Sequence, residues 1–248
     1  MTEKLRLLPL ITADGASQMA LDEALLDAAR GPTLRIYRWA EPTVSLGYFQ
    51  DHGSVVASLP VQDPPRVVRR ITGGGAIWHE HEVTYCLVAN RGMAGVPADT
   101  RALYAQLHGE VLEELAHRGA ALDLQRGTTG DRRYRDEPRC FASPAENDLV
   151  ASAGGKALGS AARTRGARIL VHGSLKLASN RWDLGAVAAC GLSTDDAVTA
   201  LITGLARAIG VEPSPGDISA EETAARDRIL QERYATSDWV QRRIGPRP

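Results

Sequence analysis

The chain predicts an α+β fold in which a largely antiparallel or mixed β-sheet is flanked by helices, and three observations lead there. Strand-like segments follow one another in groups, without the one-for-one alternation with helices that a doubly wound sheet requires. Glu82 to Ala89 alternates Val83, Tyr85, Leu87 and Ala89 with Thr84, Cys86 and Val88, the clearest strand in the protein. Leu149 to Ser152 and Lys156 to Ala161, turned through Gly154-Gly155, read as an antiparallel hairpin.

The elements follow in order. After an apolar start at Leu5 to Leu10, the segment Asp14 to Arg30 sets Met19, Leu21, Ala24, Leu25, Ala28 and Ala29 on roughly one helix face and stops at Gly31-Pro32. Leu34 to Trp39 is a strand, and Val44 to Phe49 continues the sheet after the Glu41-Pro42 turn. Gln50 to Pro65 is irregular and leads through Pro64-Pro65 into an extended Arg66 to Ile71. Three consecutive glycines, Gly73 to Gly75, come next, and then the Glu82 strand, where Cys86 reads as a core thiol. Asp99 caps a long helix carrying Leu103, Leu107, Val111, Leu112 and Leu115, ended by Gly119. A short strand at Ala121 to Leu124 precedes the loop Arg126 to Arg139, which holds five arginines with Asp131, Asp136 and Glu137.

Beyond the hairpin, Arg168 to Leu177 supplies a strand interrupted at Gly173. Ser193 and Asp196 open a helix through about Ile209 in a capping-box-like arrangement, and Pro213 to Gly216 breaks the chain. Ser219 to Val240 reads as a charged amphipathic helix or pair of helices anchored by Ile229, Leu230, Tyr234 and Trp239. At 248 residues the chain is long enough to bury a substantial core, and one domain spanning 1–248 is expected, with a helical carboxy-terminal segment from about 213 to 248.

Bulk composition excludes some classes of function. Lys plus Arg (29) nearly cancels Asp plus Glu (30), so neither nucleic acid nor an anionic membrane is an expected partner. No apolar run approaches the ~18 residues of a membrane-spanning helix, and the amino end is too polar for a secretory signal. Cys86, Cys140 and Cys190 form no disulfide framework or CxxC site, which suits a cytoplasmic location.

Chemistry concentrates in two places. Arg69-Arg70-Ile71-Thr72-Gly73-Gly74-Gly75 joins a strand to a run of unobstructed amides, a plausible cradle for an oxyanion or phosphate; a flexible turn beside a buried strand is the plainer reading. The second place runs from Cys140 to His172. Lys156 stands out in a chain whose other lysines are Lys4 and Lys176, and a compact ammonium can approach a carbonyl or phosphate; a solvent-facing lysine at a strand edge reads equally well. Cys140 follows the basic loop, where substrate can reach a nucleophile and Arg139, Lys156 or His79 can favour its thiolate. Cys190, before Gly191 and a helix amino end, competes for that role. His79 and His81 share a face if the chain is extended; with Glu80 and Glu82 they lack the ligand spacing of a zinc site, so no metal is expected, and His79 suits a hydrogen bond or proton buffering beside the glycine loop. His172-Gly173 repeats the pairing of a polar side chain with a glycine, and His52, His108 and His117 read as surface or helix-face residues.

An ordered set of segments resembles the lipoate-protein ligase and octanoyltransferase family, whose catalytic domain is shared with biotin-protein ligases. The segments are Met19 to Glu23, Pro42 to Gln50, Arg69 to His79, Glu146 to Leu149, Gly155 to Ala161 and His172 to Leu175, spanning about residues 15 to 180. The resemblance implies the biotin/lipoate ligase catalytic fold, an acyl chain held beside the glycine-loop strand, and Lys156 next to its carbonyl. It implies an acyl- and oxyanion-binding set of Arg70, Thr72, Gly73, Gly74, Gly75, His79, Gly159, Ser160, His172 and Gly173.

Two chemistries occur in this family. Ligases make an acyl-adenylate with ATP and Mg2+ and need no cysteine; transferases pass octanoyl or lipoyl through a cysteine thioester and need no cofactor. Arg139 to Pro144 resembles the Cys-Phe segment of cysteine-dependent octanoyltransferases built like ligases, and Glu82 to Tyr85 points to the same branch. Gly75 departs from it, matching the ligase form of the loop, and Cys190-Gly191 resembles the Cys-Gly pair of the other octanoyltransferases. The branch implies Cys140 as nucleophile with Lys156, Cys190 being the alternative. Its donor would be an acyl carrier protein or a lipoylated glycine-cleavage protein, and its acceptor a lipoyl domain. Such carriers are usually acidic, giving the arginines at 132, 133, 135, 163, 165 and 168 a reason to lie near the mouth. A monomer is expected. ATP-dependent ligation and a non-catalytic carrier-binding module are the alternative functions.

Overall fold

The structure, a computed structural model, describes residues 4–130 and 133–245. Strands β1 (Leu5–Leu7) and β2 (Ile11–Ala13) lead into helix α1 (Gly15–Ala28), where the Asp14 carboxylate accepts from the Ser17 amide at 3.0 Å. Next come β3 (Thr33–Trp39), β4 (Thr43–Leu46), α2 (His52–Ala57), β5 (Arg66–Arg69), β6 (Ile77–His79) and β7 (Glu82–Asn90). The chain continues through α3 (Thr100–His117), β8 (Leu122–Leu124), β9 (Leu149–Ala151), β10 (Lys156–Arg165) and β11 (Arg168–Lys176). It closes with α4 (Thr194–Ile209), β12 (Pro213–Pro215) and α5 (Ala220–Ile229), followed by two wide helical turns, Leu230–Tyr234 and Asp238–Arg242.

The main sheet runs β12-β1-β3-β7-β11-β10-β9-β8, with β2 beside β3. Its β12, β1, β2 and β3 edge is parallel and the remainder antiparallel, so the sheet is mixed, as the sequence predicts. Helices α3 and α4 cover one face and α1 with α5 the other. That sandwich explains the alternation in β7: Val83, Tyr85, Leu87 and Ala89 enter the α3/α4 core, while Cys86 and Val88 enter the α1 core. Cys86 is the core thiol expected of it.

Several expectations need correction. Val44 to Phe49 does not extend the main sheet: β4 lies between β5 and β6 in a separate three-stranded sheet and stops at Gly47, where a Cβ would overlap the Gly74 carbonyl oxygen. Gly173 does not interrupt β11, which pairs with β7 along its whole length; a Cβ there would strike the Tyr85 ring at 2.7 Å and Ser160 Oγ. Pro213 to Pro215 pairs with β1 as an edge strand, the position in a sheet where proline is tolerated. The Gln50 to Pro65 segment contains α2, capped by Asp51. The capping box forms at Ser219–Glu222, while Ser193 caps α4 without the reciprocal bond.

The carboxy-terminal turns fold back onto the strand that feeds the glycine loop. Trp239 Nε1 donates to the Arg69 carbonyl at 2.9 Å, and Arg69 Nε donates to the Val240 carbonyl at 2.9 Å. Arg233 and Tyr234 both bond the buried Glu23 carboxylate of α1.

Candidate active site

A cavity opens between the β10/β11 half of the main sheet and the small β4/β6 sheet. The glycine loop contributes Gly74 to its wall, and α1 contributes Met19. Cys140 reaches it because the end of the basic loop is pinned to the chain beyond the glycines. The Ala76 amide donates to the Pro138 carbonyl at 2.7 Å, and the Cys140 amide donates to the Ala76 carbonyl at 2.8 Å. Gly75 allows this approach, since a Cβ would fall 2.8 Å from the Cys140 nitrogen and against the Tyr134 ring. Behind Cys140, Phe141, Ile77 and Val187 form a small apolar cluster.

Lys156 is a buried residue, not a solvent-facing one. Its Nζ lies 3.4 Å from Cys140 Sγ and 2.8 Å from Asp148 Oδ2. Burial opposes the ammonium charge, and the neighbouring Cys140 and the Asp148 carboxylate outweigh it, so Lys156 holds its proton well above the usual lysine range. Asp148 is itself anchored, its Oδ2 accepting from the Ala145 amide at 2.6 Å. The three side chains make a thiol, ammonium and carboxylate row on one wall.

Arg70 lines the cavity, yet its donors are committed. Nη2 donates to the Gly73 and Gly75 carbonyls at 2.7 Å each, Nη1 to the Ser45 carbonyl at 2.7 Å and Ser45 Oγ at 3.1 Å, and Nε to Thr72 Oγ1 at 3.1 Å. The guanidinium therefore fixes the shape of the glycine loop. Arg69 does the same for the preceding turn through the Gly47, Tyr48 and Gln50 carbonyls. The expected two-arginine cradle is a pair of clamps.

Two buried histidines sit on either side of Arg70. His79 Nε2 meets Ser45 Oγ at 2.7 Å, and its Nδ1 meets Glu82 Oε1 at 2.7 Å; Lys176 and Thr84 hold the same carboxylate. Burial lowers the His79 pKa to about 4, while Lys176 and His79, against burial, hold Glu82 at about 2. The imidazole is thus neutral, donating from Nδ1, and Trp39 stacks on it at 3.7 Å. His172 is placed likewise, with Nε2 2.7 Å from Thr72 Oγ1 and Nδ1 3.0 Å from Asp22 Oδ2. Burial works against the Asp22 charge, and His172 and Arg35 nevertheless keep its pKa below the ordinary value.

Of the residues singled out from the sequence, Arg70, Gly74, His79, Cys140, Lys156, Gly159, Ser160, His172 and Gly173 line this one cavity. Thr72, Gly73 and Gly75 adjoin the wall through Arg70, which bonds Thr72 Oγ1 and the Gly73 and Gly75 carbonyls. Cys190 is in the α3/α4 core, where burial pushes its thiol up. His81 occupies an exposed turn with φ 53°, so it does not share a face with His79. Arg165 pairs with Glu23 and Asp27, and Arg168 bonds the Leu26 and Asp27 carbonyls, which places both at α1 and not at the mouth. Arg133 and Arg135 border an outer cleft that meets the cavity at Gly74 and Tyr134; Asp131 and Arg132 lie outside the described residues.

Sequence reasoning missed Asp148, Asp22, Glu82 and His108. Asp148 lay in a segment already singled out, between Asn147 and Leu149, and a carboxylate next to a buried lysine was the available signal. His108, read as a surface or helix-face residue, is on the buried face of α3.

Fold and cavity together define a lipoyl protein ligase A/B catalytic domain, and the model of that family matches residues 14–214. The fold is shared with the structure of lipoate-protein ligase A bound with ATP, at TM-score 0.77 and 20% identity over 96% of this chain and 98% of that one. Closer sequence relatives are the octanoyltransferase LipM of Moorella thermoacetica, 32% identical over 97% of this chain and 99% of the relative, and that of Kyrpidia tusciae, 31% identical over 96% and 98%. The chain belongs to the octanoyltransferase LipM family and is an acyltransferase. Among the described residues no helix is long and apolar enough to cross a membrane.

Proposed function

We propose that this protein moves an octanoyl group from an acyl-carrier thioester to Cys140 and from there to a lysine amine of a lipoyl domain. The observation that carries the reading is the 3.4 Å approach of the Lys156 ammonium to Cys140 Sγ on the wall of the cavity. A cation at that distance favours thiolate, the reactive form of cysteine. Among the described residues, Cys190 sits in the α3/α4 core and not on the wall.

The thiolate attacks the donor carbonyl, and Lys156 faces the oxygen on which charge develops. Collapse breaks the carbon–sulfur bond to the donor, whose thiolate leaves. One thioester has replaced another, so the step is nearly isoenergetic and needs no nucleotide. The acceptor amine then attacks the Cys140 thioester, loses its proton, and expels the Cys140 thiolate as the amide forms. Met19, Ile77 and the Trp39–His79 stack offer the acyl chain an apolar bed. An acidic carrier suits the outer cleft, bordered by Arg133, Arg135 and the exposed Phe49. The donor is an acyl carrier protein, which presents the acyl group as the thioester that this step breaks.

Transfer of octanoyl from carrier protein to a lipoyl domain, assayed without ATP, tests this. Cys140→Ser abolishes transfer and Cys190→Ser leaves it intact. Transfer that persists in Cys140→Ser, or that requires ATP, overturns the reading.

A further inference from the structure

His108 lies on α3, on no wall of the cavity, yet it joins the two segments that bracket Lys156. Its Nδ1 is 2.5 Å from the Asn147 carbonyl and its Nε2 is 2.7 Å from Ser160 Oγ. A carbonyl only accepts, so Nδ1 carries the proton. Burial, more than any other influence, lowers the His108 pKa, so the ring is neutral and Nε2 accepts from the Ser160 hydroxyl. Ser160 Oγ in turn accepts from the Tyr85 hydroxyl at 2.6 Å. Every proton in this chain has one direction, from Tyr85 to Ser160, His108 and finally Asn147.

Both ends matter to the site. Asn147 adopts φ 71°, the left-handed conformation that asparagine accepts more readily than other side-chain-bearing residues, and directly precedes Asp148, the carboxylate partner of Lys156. Ser160 follows Gly159, on which the Lys156 side chain rests. We infer that His108 is a positioning residue for the Lys156–Cys140 pair: through the Asn147 carbonyl it holds the turn that presents Asp148, and so keeps the Lys156 ammonium at Cys140. This rests on the reading of Cys140 as nucleophile. The tie spans 39 residues and adds a fixed point at the Asn147 carbonyl to the bonds the turn already makes, from the Asp148 amide to the Ala145 carbonyl at 3.0 Å and from the Asn147 amide to the Gln125 carbonyl at 3.1 Å.

Alkylation of Cys140 by iodoacetamide at pH 7 in the full-length protein, located by peptide mapping, reads the thiolate fraction directly. His108→Ala slows alkylation about tenfold. The amide of His108→Asn reaches the place of Nδ1 and keeps the Asn147 bond, so its rate stays within about twofold of wild type. His108→Gln reaches the place of Nε2 instead and slows as the alanine variant does. Wild-type rates in Ala and Gln, or an Asn variant as slow as Gln, overturn the inference; if the alanine variant fails to fold, the Asn–Gln comparison decides it. The same wild-type samples, mixed with octanoyl-carrier protein, report the underlying reading separately, because absence of an octanoyl-Cys140 adduct there sinks the nucleophile assignment itself.

Discussion

Gly159 lies directly beneath Lys156: a Cβ at position 159 would collide with Cε and Nζ of that lysine and sit 3.2 Å from Asp148 Oδ1. The space that a methyl group would take is the space in which the ammonium reaches Cys140. Because the obstructing atoms belong to the end of a flexible side chain, Gly159→Ala displaces Lys156 at a stability cost of only about 1–3 kcal/mol. Displacing the ammonium by an ångström lowers the rate of acyl-enzyme formation about 10²-fold. Single-turnover acylation and a urea melt on the same preparation check both halves.

Removing the lysine separates charge pairing from chemistry. Lys156→Met leaves Asp148 buried without its cation and costs about 3–5 kcal/mol of stability. Asp148→Asn leaves a neutral partner for Nζ and destabilises less, while acylation falls in both. Wild-type stability of both variants in urea would contradict the pairing.

Acid weakens the fold through the His79–Glu82 pair. The unfolded His79 takes up a proton near 6.5, the folded one only near 4, so between those values the unfolded state binds more protons and stability falls as pH falls. Glu82, held at about 2 against its ordinary 4.5, contributes stability that is lost at still lower pH, as the pH drops from about 4.5 towards 2. From pH 7 to pH 5 the His79 contribution is about 2 kcal/mol. Denaturant midpoints at the two pH values should show the drop in wild type and a flatter response in His79→Gln.

Arg70→Lys tests whether that arginine is a clamp. A lysine cannot reach the Gly73 and Gly75 carbonyls and the Ser45 and Thr72 hydroxyls together, so the glycine loop loosens. The expected outcome is faster hydrogen exchange in the Ile71 to Ala76 segment together with reduced acylation. An arginine that served only to bind substrate would leave exchange in the free protein unchanged.

Legibility divided along chain distance. The glycine loop, Lys156 and Cys140 were readable because each carries a local anomaly: three adjacent glycines, a rare lysine in a glycine-bounded hairpin, a cysteine at the end of a charged loop. The mixed sheet was readable from the alternation of β7 and the Gly154-Gly155 turn. The partners that give those residues their chemistry were not. His172 meets Asp22 across 150 positions and Ser160 meets Tyr85 across 75, and no periodicity encodes such pairings. Strands of three residues, such as β1, β2 and β6, are too short to display alternation, and the prolines of β12 read as a break because only an edge position makes them acceptable. His108 resembles a surface residue on a helix until α3 is packed against Asn147 and Ser160.

The most direct test of the central claim is the intact mass of the protein after mixing with octanoyl-carrier protein in the absence of ATP, followed by peptide mapping of any adduct. The account predicts a hydroxylamine-labile octanoyl group on Cys140 that disappears when a lipoyl domain is added and reappears on the domain's lysine. An adduct on Cys190, or no adduct together with lipoate-dependent exchange of pyrophosphate into ATP, would contradict it.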